Sequence, residues 1–282
     1  MISYEKITKF ITKLKEDSDY DLSNYSVKSL GRRIEWVLES KNMTYTMLID
    51  KLNDKQFKEL ILKEITVNTT ELFRDPEVWQ SIRYRIIKKL NNNEKINIWH
   101  AGCSTGEEVY SMLILLYECG IIDRTNVYAS DINMDVIEKA KKGIYKFRFN
   151  AKYLNNFDKV LKMNPYNYEE IKDVPYGKYF DIDRNRDIII MKDFLRDKVI
   201  YRYNNLTNFE NVFYKKFDLI LCRNVLIYFN DILQKNLFSF FHENLYNSSY
   251  LVLGKQESTI NATDGSYMRK GLFYKKIEND NI

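Results

Sequence analysis

Histidine, cysteine and proline are all scarce in this sequence of 282 residues, which has two histidines, three cysteines and three prolines. The cysteines Cys103, Cys119 and Cys222 show none of the short spacings, such as CxxC, that zinc sites use, and His100 and His242 lie apart from them. The sequence therefore predicts reduced thiols and no metal site.

Long apolar runs are also missing. Those that occur, such as residues 112–117, fall far below the ~20 residues that a bilayer-spanning helix needs. No positively charged leader precedes an apolar stretch at the N-terminal end. We therefore expect a cytoplasmic protein with no membrane insertion.

Neither sign of charge is concentrated in one block. The 44 Lys and Arg residues exceed the 39 Asp and Glu residues only slightly, for a net charge of +5. Such a mild excess does not indicate nucleic-acid binding, although it suits an acidic protein surface. The length and the 45% share of hydrophobic residues predict a chain with a buried core and two domains.

The first part of the chain has a helical pattern, with apolar residues recurring at helical spacing in two stripes. A further helix is predicted to begin at Asp75, which would be an acidic N-cap before Pro76. We predict an N-terminal helical domain over residues 1–75 and a second domain over residues 76–282. The stripes consist of Ile7, Phe10, Ile11 and Leu14, and of Leu30, Ile34, Val37 and Leu38.

Strands and helices alternate beyond residue 95, which is typical of a doubly wound α/β fold with a parallel sheet. Gly102 and Gly106 lie in the loop after the first strand, and Asp131 ends the second. A closing hairpin would place an antiparallel strand at the sheet edge. The strands are predicted at 96–99, 126–130, 199–203, 217–222, 250–254 and 272–276, and the helices at 107–118, 134–142 and 231–245.

The alternation is interrupted at residues 144–198. This stretch carries two of the three prolines, many Tyr, Asn and Asp residues, and only short apolar pieces such as 187–191. We interpret it as an inserted small β subdomain.

The loop after the first strand combines small residues with two acids, Glu107 and Glu108, at the start of the next helix. Acids at a helix N-terminus would repel a pyrophosphate, and the GxGxxG spacing of dinucleotide-binding proteins is absent. A cationic ligand without phosphate, such as S-adenosylmethionine (SAM), fits better. Asp131 lies where this fold uses an acid to bind ribose hydroxyls. An ordinary tight turn, and a helix N-cap at Asp131, remain the alternatives.

Short segments spread over nearly the whole chain resemble one family, the CheR chemoreceptor glutamate methyltransferases. These segments are LSNY (22–25), LGRRI (30–34), ITVNTTELFR (65–74), STGEE (104–108), ASDI (129–132), NL (205–206) and FDLILCRNVLIYF (217–229). The resemblance implies a class I SAM-dependent methyltransferase fold. It also implies cofactor contacts by Asn68, Thr70, Arg74, Glu108, Asp131, Asn205, Leu206, Arg223 and Asn224, and handling of the acceptor by Arg74 and Tyr228.

The resemblance further implies the reaction, which is methyl transfer from SAM to glutamate side-chain carboxylates of chemoreceptors in chemotaxis adaptation. S-adenosylhomocysteine (SAH) would be the product, and the enzyme is expected to be a monomer that meets the cytoplasmic helical region of the receptor. A glutamate is almost fully ionised at neutral pH, so no general base is needed. Lys28, Arg32 and Arg33 share one helix face, which is either a solvated face or the surface that meets an acidic receptor helix.

Two other functions compete with this interpretation. Amino-methylating DNA enzymes carry an Asn/Asp-Pro-Pro-aromatic motif after the fourth strand, whereas this chain has Arg223, Asn224 and no proline there. A non-catalytic SAM-binding or receptor-binding scaffold of the same fold is the second alternative, and the presence of both Arg74 and Tyr228 favours an enzyme over it. We expect His100 to be a packed residue behind the loop rather than a ligand, because no partner is near in sequence.

Overall fold

A computed structural model describes residues 2–16, 21–66, 68–257 and 265–277 of the chain. The chain divides into two compact units, one made of Met1–Val67 with Val225–Leu237 and the other of Asn68–Asn224 with Phe238–Ile282. The predicted domain boundary at residue 75 and the limits 144–198 of the insertion stay predictions. Met1, residues 17–20 and Val67, which fall in predicted helical or motif segments, lie outside the described residues.

The first unit is built from the helices α1 (Tyr4–Lys15), α2 (Val27–Ser40), α3 (Tyr45–Lys51) and α4 (Lys55–Ile65). Polar N-caps explain where these helices begin, since the side chains of Ser3, Thr44 and Asp54 each accept a backbone N–H of the following turn. The apolar stripes seen in the sequence form the core of this unit, with Phe10, Ile34 and Val37 among its fully buried members.

A segment distant in sequence completes the first unit. Residues 225–237 contain the 3₁₀ turn Leu226–Tyr228, and the carbonyl of Tyr228 accepts a hydrogen bond from the N–H of Ser26 at 2.8 Å. The rings of Tyr25 and Phe229 pack edge to face with centroids 5.1 Å apart. Backbone pairing and ring packing therefore fix this segment against the start of α2.

The second unit is an α/β assembly. Its elements are α5 (Pro76–Ser81), a π-helical turn (Ile82–Ile87), α6 (Lys88–Leu90), β1 (Ile96–Ala101), α7 (Glu107–Glu118), β2 (Thr125–Asp131), α8 (Met134–Lys142), β3 (Ile144–Lys146), α9 (Phe147–Phe157), β4 (Phe180–Asp183), β5 (Ile188–Met191), α10 (Asp193–Arg196), β6 (Val199–Tyr203), β7 (Phe217–Cys222), β8 (Leu245–Leu253), β9 (Tyr267–Arg269) and β10 (Tyr274–Lys276), with α11 (Asp231–Asn244) entering it from the first unit. None of the helices in the described ranges has the length and apolar character that a bilayer crossing needs.

Within the described residues, one seven-stranded sheet has the order β6-β2-β1-β7-β8-β10-β9. The strands from β6 to β8 are parallel, and β10 pairs antiparallel with β8. The sequence predicted this pairing with the antiparallel strand of the hairpin at the sheet edge, whereas among the described residues β9 pairs with the outer side of β10 and takes the edge. β9 is only three residues long, too short for a periodic pattern to indicate it.

A smaller antiparallel sheet lies within the segment predicted as an insertion. In the part of the chain that the structure describes, it has three strands in the order β3-β5-β4, with Tyr145 opposite Ile189 and Ile182 opposite Ile189 on the other side. Only β5 was indicated by the sequence, because it is an uninterrupted apolar run, whereas β3 and β4 mix apolar and polar residues over three or four positions.

Buried aromatic rings hold the helices on the large sheet. Trp99 of β1 is fully buried and meets the rings of Phe217 at 5.2 Å and Phe241 at 5.8 Å, while its indole N–H donates to the hydroxyl of Ser130 at 3.0 Å. On α7, residues 109–116 are all buried, so this helix is enclosed rather than amphipathic. Both features fix the strand ends from which the loops of the next section emerge.

We expect Gly106→Ala to destabilise the protein more than Gly120→Ala. Both glycines have positive φ, 93° and 67°, but a Cβ at Gly106 would lie 2.7 Å from the Cβ of Ala140, whereas nothing lies within 4 Å at Gly120. Backbone strain alone should cost about 1 kcal/mol at either site, and the overlap should add about 1–3 kcal/mol at Gly106. Urea unfolding measures both values, and equal losses would contradict the role of the Ala140 contact.

Candidate functional site

Polar residues gather where the parallel strands end. The strand order reverses direction between β1 and β7, since β2 and β6 extend the sheet on one side and β8 on the other. In open α/β sheets this switch point is where ligands bind, at the carboxyl ends of the strands. The segments that follow these strands are 102–106 after β1, 132–133 after β2, 204–208 after β6, 223–224 after β7 and 254–257 after β8.

The glycine loop after β1 is held by backbone hydrogen bonds. The N–H groups of Gly102 and Cys103 both donate to the carbonyl of Ser130 at 2.9 Å. Ser104 has a φ of 50° and Gly106 a φ of 93°, so the chain turns sharply before α7 begins. The loop thus presents backbone rather than bulky side chains at the strand end.

Asp131 fastens this loop. One carboxylate oxygen accepts the N–H of Ser104 at 2.8 Å, and the other accepts the N–H of Asn133 at 2.9 Å. The N-cap of α8 is Asn133, whose side chain accepts the N–H of Asp135, so the interpretation of Asp131 as that cap is wrong. Burial raises the pKa of Asp131, while its backbone hydrogen bonds oppose the shift.

Glu108, at the start of α7, is part of a buried charged cluster. Its Oε1 lies 2.8 Å from Nδ1 of His100, and its Oε2 accepts a hydrogen bond from Nη1 of Arg223 at 3.2 Å. Burial alone would raise the pKa of Glu108, but the contacts with His100 and Arg223 hold it below the usual value. His100 is fully buried, as expected, yet it has a partner eight residues along the chain that the sequence did not indicate.

Asp75 belongs to the same cluster, and the sequence missed it. It does stand at the N-cap position of α5, but it has a φ of 55° and its side chain makes no capping hydrogen bond. Its carboxylate instead accepts Nη2 of Arg223 at 2.9 Å. The prediction of an acidic cap is therefore corrected, because a buried guanidinium competes for this carboxylate more strongly than a helix N–H does. Nη2 also donates to the carbonyl of Arg74 at 2.9 Å.

The predicted residues Asn68, Thr70 and Arg74 lie on the segment that leads into α5, next to the glycine loop. The carbonyl of Asn68 accepts the hydroxyl of Ser104 at 3.1 Å. The carbonyl of Thr70 accepts the hydroxyl of Tyr153 at 3.0 Å. The segment is thereby tied to the loop on one side and to α9 on the other.

Arg74 differs from Arg223 in its electrostatic environment. Its Nη1 donates to the carbonyl of Thr69 at 3.1 Å, and its side chain is only partly buried. Among the described residues, no carboxylate lies within ion-pair distance of it, whereas Arg223 pairs with two. Within the part of the chain that the structure describes, the positive charge of Arg74 is therefore uncompensated beside the strand ends.

The predicted residues after β6 and β7 are also ordered by local contacts. The side chain of Asn205 accepts the N–H of Thr207 at 3.1 Å, and Leu206 is buried. Asn224 has a φ of 60°, and its N–H donates to Oε2 of Glu257 at 2.8 Å.

Glu257 is a further residue that the sequence did not indicate. Its carboxylate also accepts the N–H of Gly254 at 2.5 Å, which links the ends of β7 and β8. A Cβ at Gly254 would lie 2.6 Å from this carboxylate, so the close approach requires glycine. Only the distant pairing of β7 with β8 brings Glu257 to the site.

Tyr228 and the predicted basic face belong to the first unit. Tyr228 is partly exposed in the turn Leu226–Tyr228. Lys28 and Arg32 are exposed, but Arg33 donates to the carbonyl of Glu64 at 2.7 Å and stacks on the ring of Trp36, with burial lowering its pKa. Only Lys28 and Arg32 of the predicted face are therefore exposed.

The acids at the strand ends suit the predicted cofactor by charge. SAM carries an ammonium and a sulfonium group and no phosphate, so the carboxylate of Glu108 at the start of α7 attracts it where it would repel a dinucleotide. The oxygens of Asp131 each accept one of these backbone N–H groups, and a carboxylate oxygen has two lone pairs, which leaves capacity for ribose hydroxyls. The cluster of Glu108, Arg223, His100 and Asp75 gives this edge a further negative charge.

Comparison with known proteins identifies similar chains. Residues 68–271 match the family described as CheR methyltransferase, SAM binding domain. The Cher3 protein of Pseudomonas putida, whose name describes a candidate methyltransferase, is 38% identical over 241 residues, which are 85% of this chain and 83% of that protein. The chemotaxis protein methyltransferase of Borreliella burgdorferi is 34% identical over 230 residues, 77% of this chain and 74% of that protein. That of Listeria innocua is 26% identical over 272 residues, 95% of each.

We expect Glu107→Gln to stabilise the protein above pH 7 and to have little effect near pH 5. Glu107 is buried, with its Oε2 accepting the hydroxyl of Thr105 at 2.6 Å, and burial raises its pKa from 4.5 to about 7. Because the folded-state pKa exceeds the unfolded one, the folded protein keeps this proton longer, and stability falls as pH rises between these two values.

Glu107→Gln should avoid this loss of stability, so at pH 8 its free energy of unfolding should exceed that of wild type by about 3 kcal/mol. Urea unfolding of wild type and Glu107→Gln from pH 5 to pH 8 measures it. Parallel pH profiles of the two proteins would contradict the assignment to Glu107.

Proposed function

The chain belongs to the CheR methyltransferase family, and from that membership we propose that it methylates glutamate side chains of chemotaxis receptors. The family match confirms the predicted family, the class I methyltransferase fold and SAM as the cofactor. The protein is thus a SAM-dependent methyltransferase, and a non-catalytic scaffold is not favoured. The receptor as substrate is supported by the relatives named chemotaxis protein methyltransferase.

The observation that carries this proposal is the uncompensated charge of Arg74. Arg223 is neutralised by Glu108 and Asp75, so it has no charge to offer an anionic acceptor. Arg74 has its carbonyl fixed by Arg223 and by the indole N–H of Trp79 at 3.0 Å, while most of its guanidinium donors remain unused among the described residues. Its planar set of donors matches a carboxylate in shape and charge.

The reaction requires little acid–base catalysis by the protein. A glutamate acceptor is already ionised at neutral pH, so its oxygen can attack without a base. When bound, SAM supplies a methyl group activated by its positive sulfur. The task of the chain's residues is to hold the carboxylate in line and to exclude water, which strengthens charge contacts in the site.

We assign the residues of the site as follows. Arg74 holds the acceptor carboxylate and borders the cofactor, and Tyr228 contributes a phenol to the reacting centre. Lys28 and Arg32 would attract an acidic receptor helix, an effect that salt should weaken. Cofactor contacts are assigned to Asn68, Thr70, Arg74, Glu108, Asp131, Asn205, Leu206, Arg223 and Asn224.

Arg74→Ala should lower methyl transfer to receptors by at least about 10- to 100-fold, since a charge-assisted hydrogen bond and the alignment of the acceptor are lost. The assay incubates the protein with methyl-labelled SAM and membranes from its own cell, and counts base-labile label on receptor-sized bands. Arg124→Ala is a matched control, because Arg124 precedes β2 at the opposite end of the strands and bonds Asn93.

Base-stable label would exclude a glutamate ester as the product. Unchanged turnover in Arg74→Ala, with folded protein and saturating SAM, would remove Arg74 from the acceptor site.

Tyr228→Phe should slow methyl transfer and leave the melting temperature and SAH affinity nearly unchanged, because it removes one hydroxyl and almost no packing volume. Combined with Arg74→Ala, its effect should be less than additive if both side chains hold one carboxylate. Tyr4→Phe, at an exposed tyrosine of the same unit, is the control. Full activity in Tyr228→Phe would reduce this tyrosine to a packing role.

A further inference from the structure

A phenol from the segment predicted as an insertion reaches the glycine loop. Tyr145 of β3 is buried, and the small sheet pairs it with Ile189 of β5. Its hydroxyl donates to the carbonyl of Thr105 at 2.7 Å, while the hydroxyl of Thr105 donates to Oε2 of Glu107 at 2.6 Å. The last residue before the Gly106 turn is therefore held at its backbone by the small sheet and at its side chain by α7.

A second contact of the same kind fixes the segment 68–74, which leads into α5. On α9, the hydroxyl of Tyr153 donates to the carbonyl of Thr70 at 3.0 Å. One helical turn later, the side-chain amide of Asn156 donates to the carbonyl of Leu72 at 3.4 Å. Tyr153 and Asn156 are both buried, so water does not compete freely for these two carbonyls.

Ring packing adds to these hydrogen bonds. Phe157, the last residue of α9, is fully buried and meets the ring of Phe73 edge to face, with centroids 5.8 Å apart. Phe73 has a φ of 51°, and its N–H donates to the hydroxyl of Ser111 at 2.7 Å. A non-glycine residue keeps a positive φ only where its surroundings enforce it. The contacts with the segment 68–74 come from one face of α9, formed by residues 153, 156 and 157.

Both phenols are permanent donors. Burial raises the pKa of Tyr145 well above the ordinary range and raises that of Tyr153 as well, and the nearby carboxylate of Glu107 acts in the same direction. The two hydroxyls therefore stay protonated wherever the protein is folded. Each carbonyl that they meet would otherwise need another donor, which the chain could supply only by moving the segment.

We propose that Tyr145 and Tyr153 are positioning residues of the methyltransferase, which hold the glycine loop and the segment 68–74 in the conformation that binds the cofactor. Each acts through a backbone carbonyl and not through the ligand. The segment predicted as an insertion is thereby a working part of the cofactor site. The proposal rests on the proposed function in one respect, since that function assigns cofactor contacts to Asn68, Thr70 and Arg74.

Calorimetric titration of the full chain with SAM and with SAH tests this. Tyr145→Phe and Tyr153→Phe each remove one hydroxyl and almost no volume, and each should lower the affinity for both ligands about 3- to 10-fold. The double variant should lose more than either single variant, because the two phenols hold different segments. Tyr267→Phe is the matched control, since its buried hydroxyl donates to the carbonyl of Phe238 on α11 at 3.0 Å rather than to a cofactor segment.

Amide hydrogen exchange without ligand provides a second measurement that tells positioning from general destabilisation. Tyr153→Phe should speed exchange in residues 68–74, and Tyr145→Phe should speed it in residues 102–106, whereas Tyr267→Phe should change neither segment. Saturating SAH should return both segments to nearly the wild-type rates, because the ligand then holds them.

Affinities within about 2-fold of wild type in both tyrosine variants would overturn the proposal, and so would an equal loss in Tyr267→Phe, which would show only a general loss of stability. Should one of the two variants fail to fold, the other decides by the same comparison. Because no receptor takes part, failure of the protein to label receptors would count against the proposed substrate and leave this test intact.

Discussion

The buried guanidinium of Arg223 is the contact on which the rest of the site depends. It follows β7, and its nitrogens reach Glu108 on α7, Asp75 before α5, and the carbonyl of Arg74. Residues 74 and 75 and the start of α7 come from different parts of the chain, and Arg223 bonds to both segments. Breaking a buried ion pair by removing one partner leaves a charge uncompensated and typically costs about 3–5 kcal/mol. Arg223 is therefore both an electrostatic centre and a structural tie.

As a result of these contacts, Arg223 and Arg74 have different roles. The charge of Arg223 is compensated by two carboxylates while its Nη2 fixes the backbone of Arg74, and among the described residues the side chain of Arg74 keeps its charge available. The proposed function, in which a cationic cofactor lies next to an anionic acceptor, needs both signs of charge close together without their cancelling. The structure achieves this by burying one arginine within its acids and leaving the other at the edge.

Strained backbone accompanies the charged cluster. Phe73, Asp75, Ser104 and Asn224 all have positive φ, and each is held by a hydrogen bond to a residue distant in sequence or by a neighbouring turn. Non-glycine residues adopt this conformation only when surrounding contacts enforce it. The same carboxylates that shape the electrostatics, those of Asp75, Asp131 and Glu257, supply several of these contacts. Shape and charge at the strand ends are therefore set together.

Sequence alone determined the features that depend on neighbours along the chain. Helical and alternating periodicities predicted α7 and α8 with the bounds observed. Contiguous motifs such as STGEE and CRNVLIYF indicated the family and, through it, the cofactor. The fold class follows from these local patterns, because strand and helix propensities act over a few residues. The sequence did not indicate the short strands β3, β4 and β9, because three or four residues are too few to show an alternating pattern.

Only the tertiary structure decided which charged groups are partners. The sequence suggested a cap for Asp75, a partnerless His100 and an open basic face including Arg33. The structure pairs Asp75 with Arg223 and His100 with Glu108, and it places Arg33 against the backbone carbonyl of Glu64 and the ring of Trp36. It also brought Glu257 to Asn224. A buried charge takes the partner that the topology carries to the same sheet edge or helix face, and desolvation makes that pairing obligatory. The spacing of these residues along the chain therefore does not predict which of them pair.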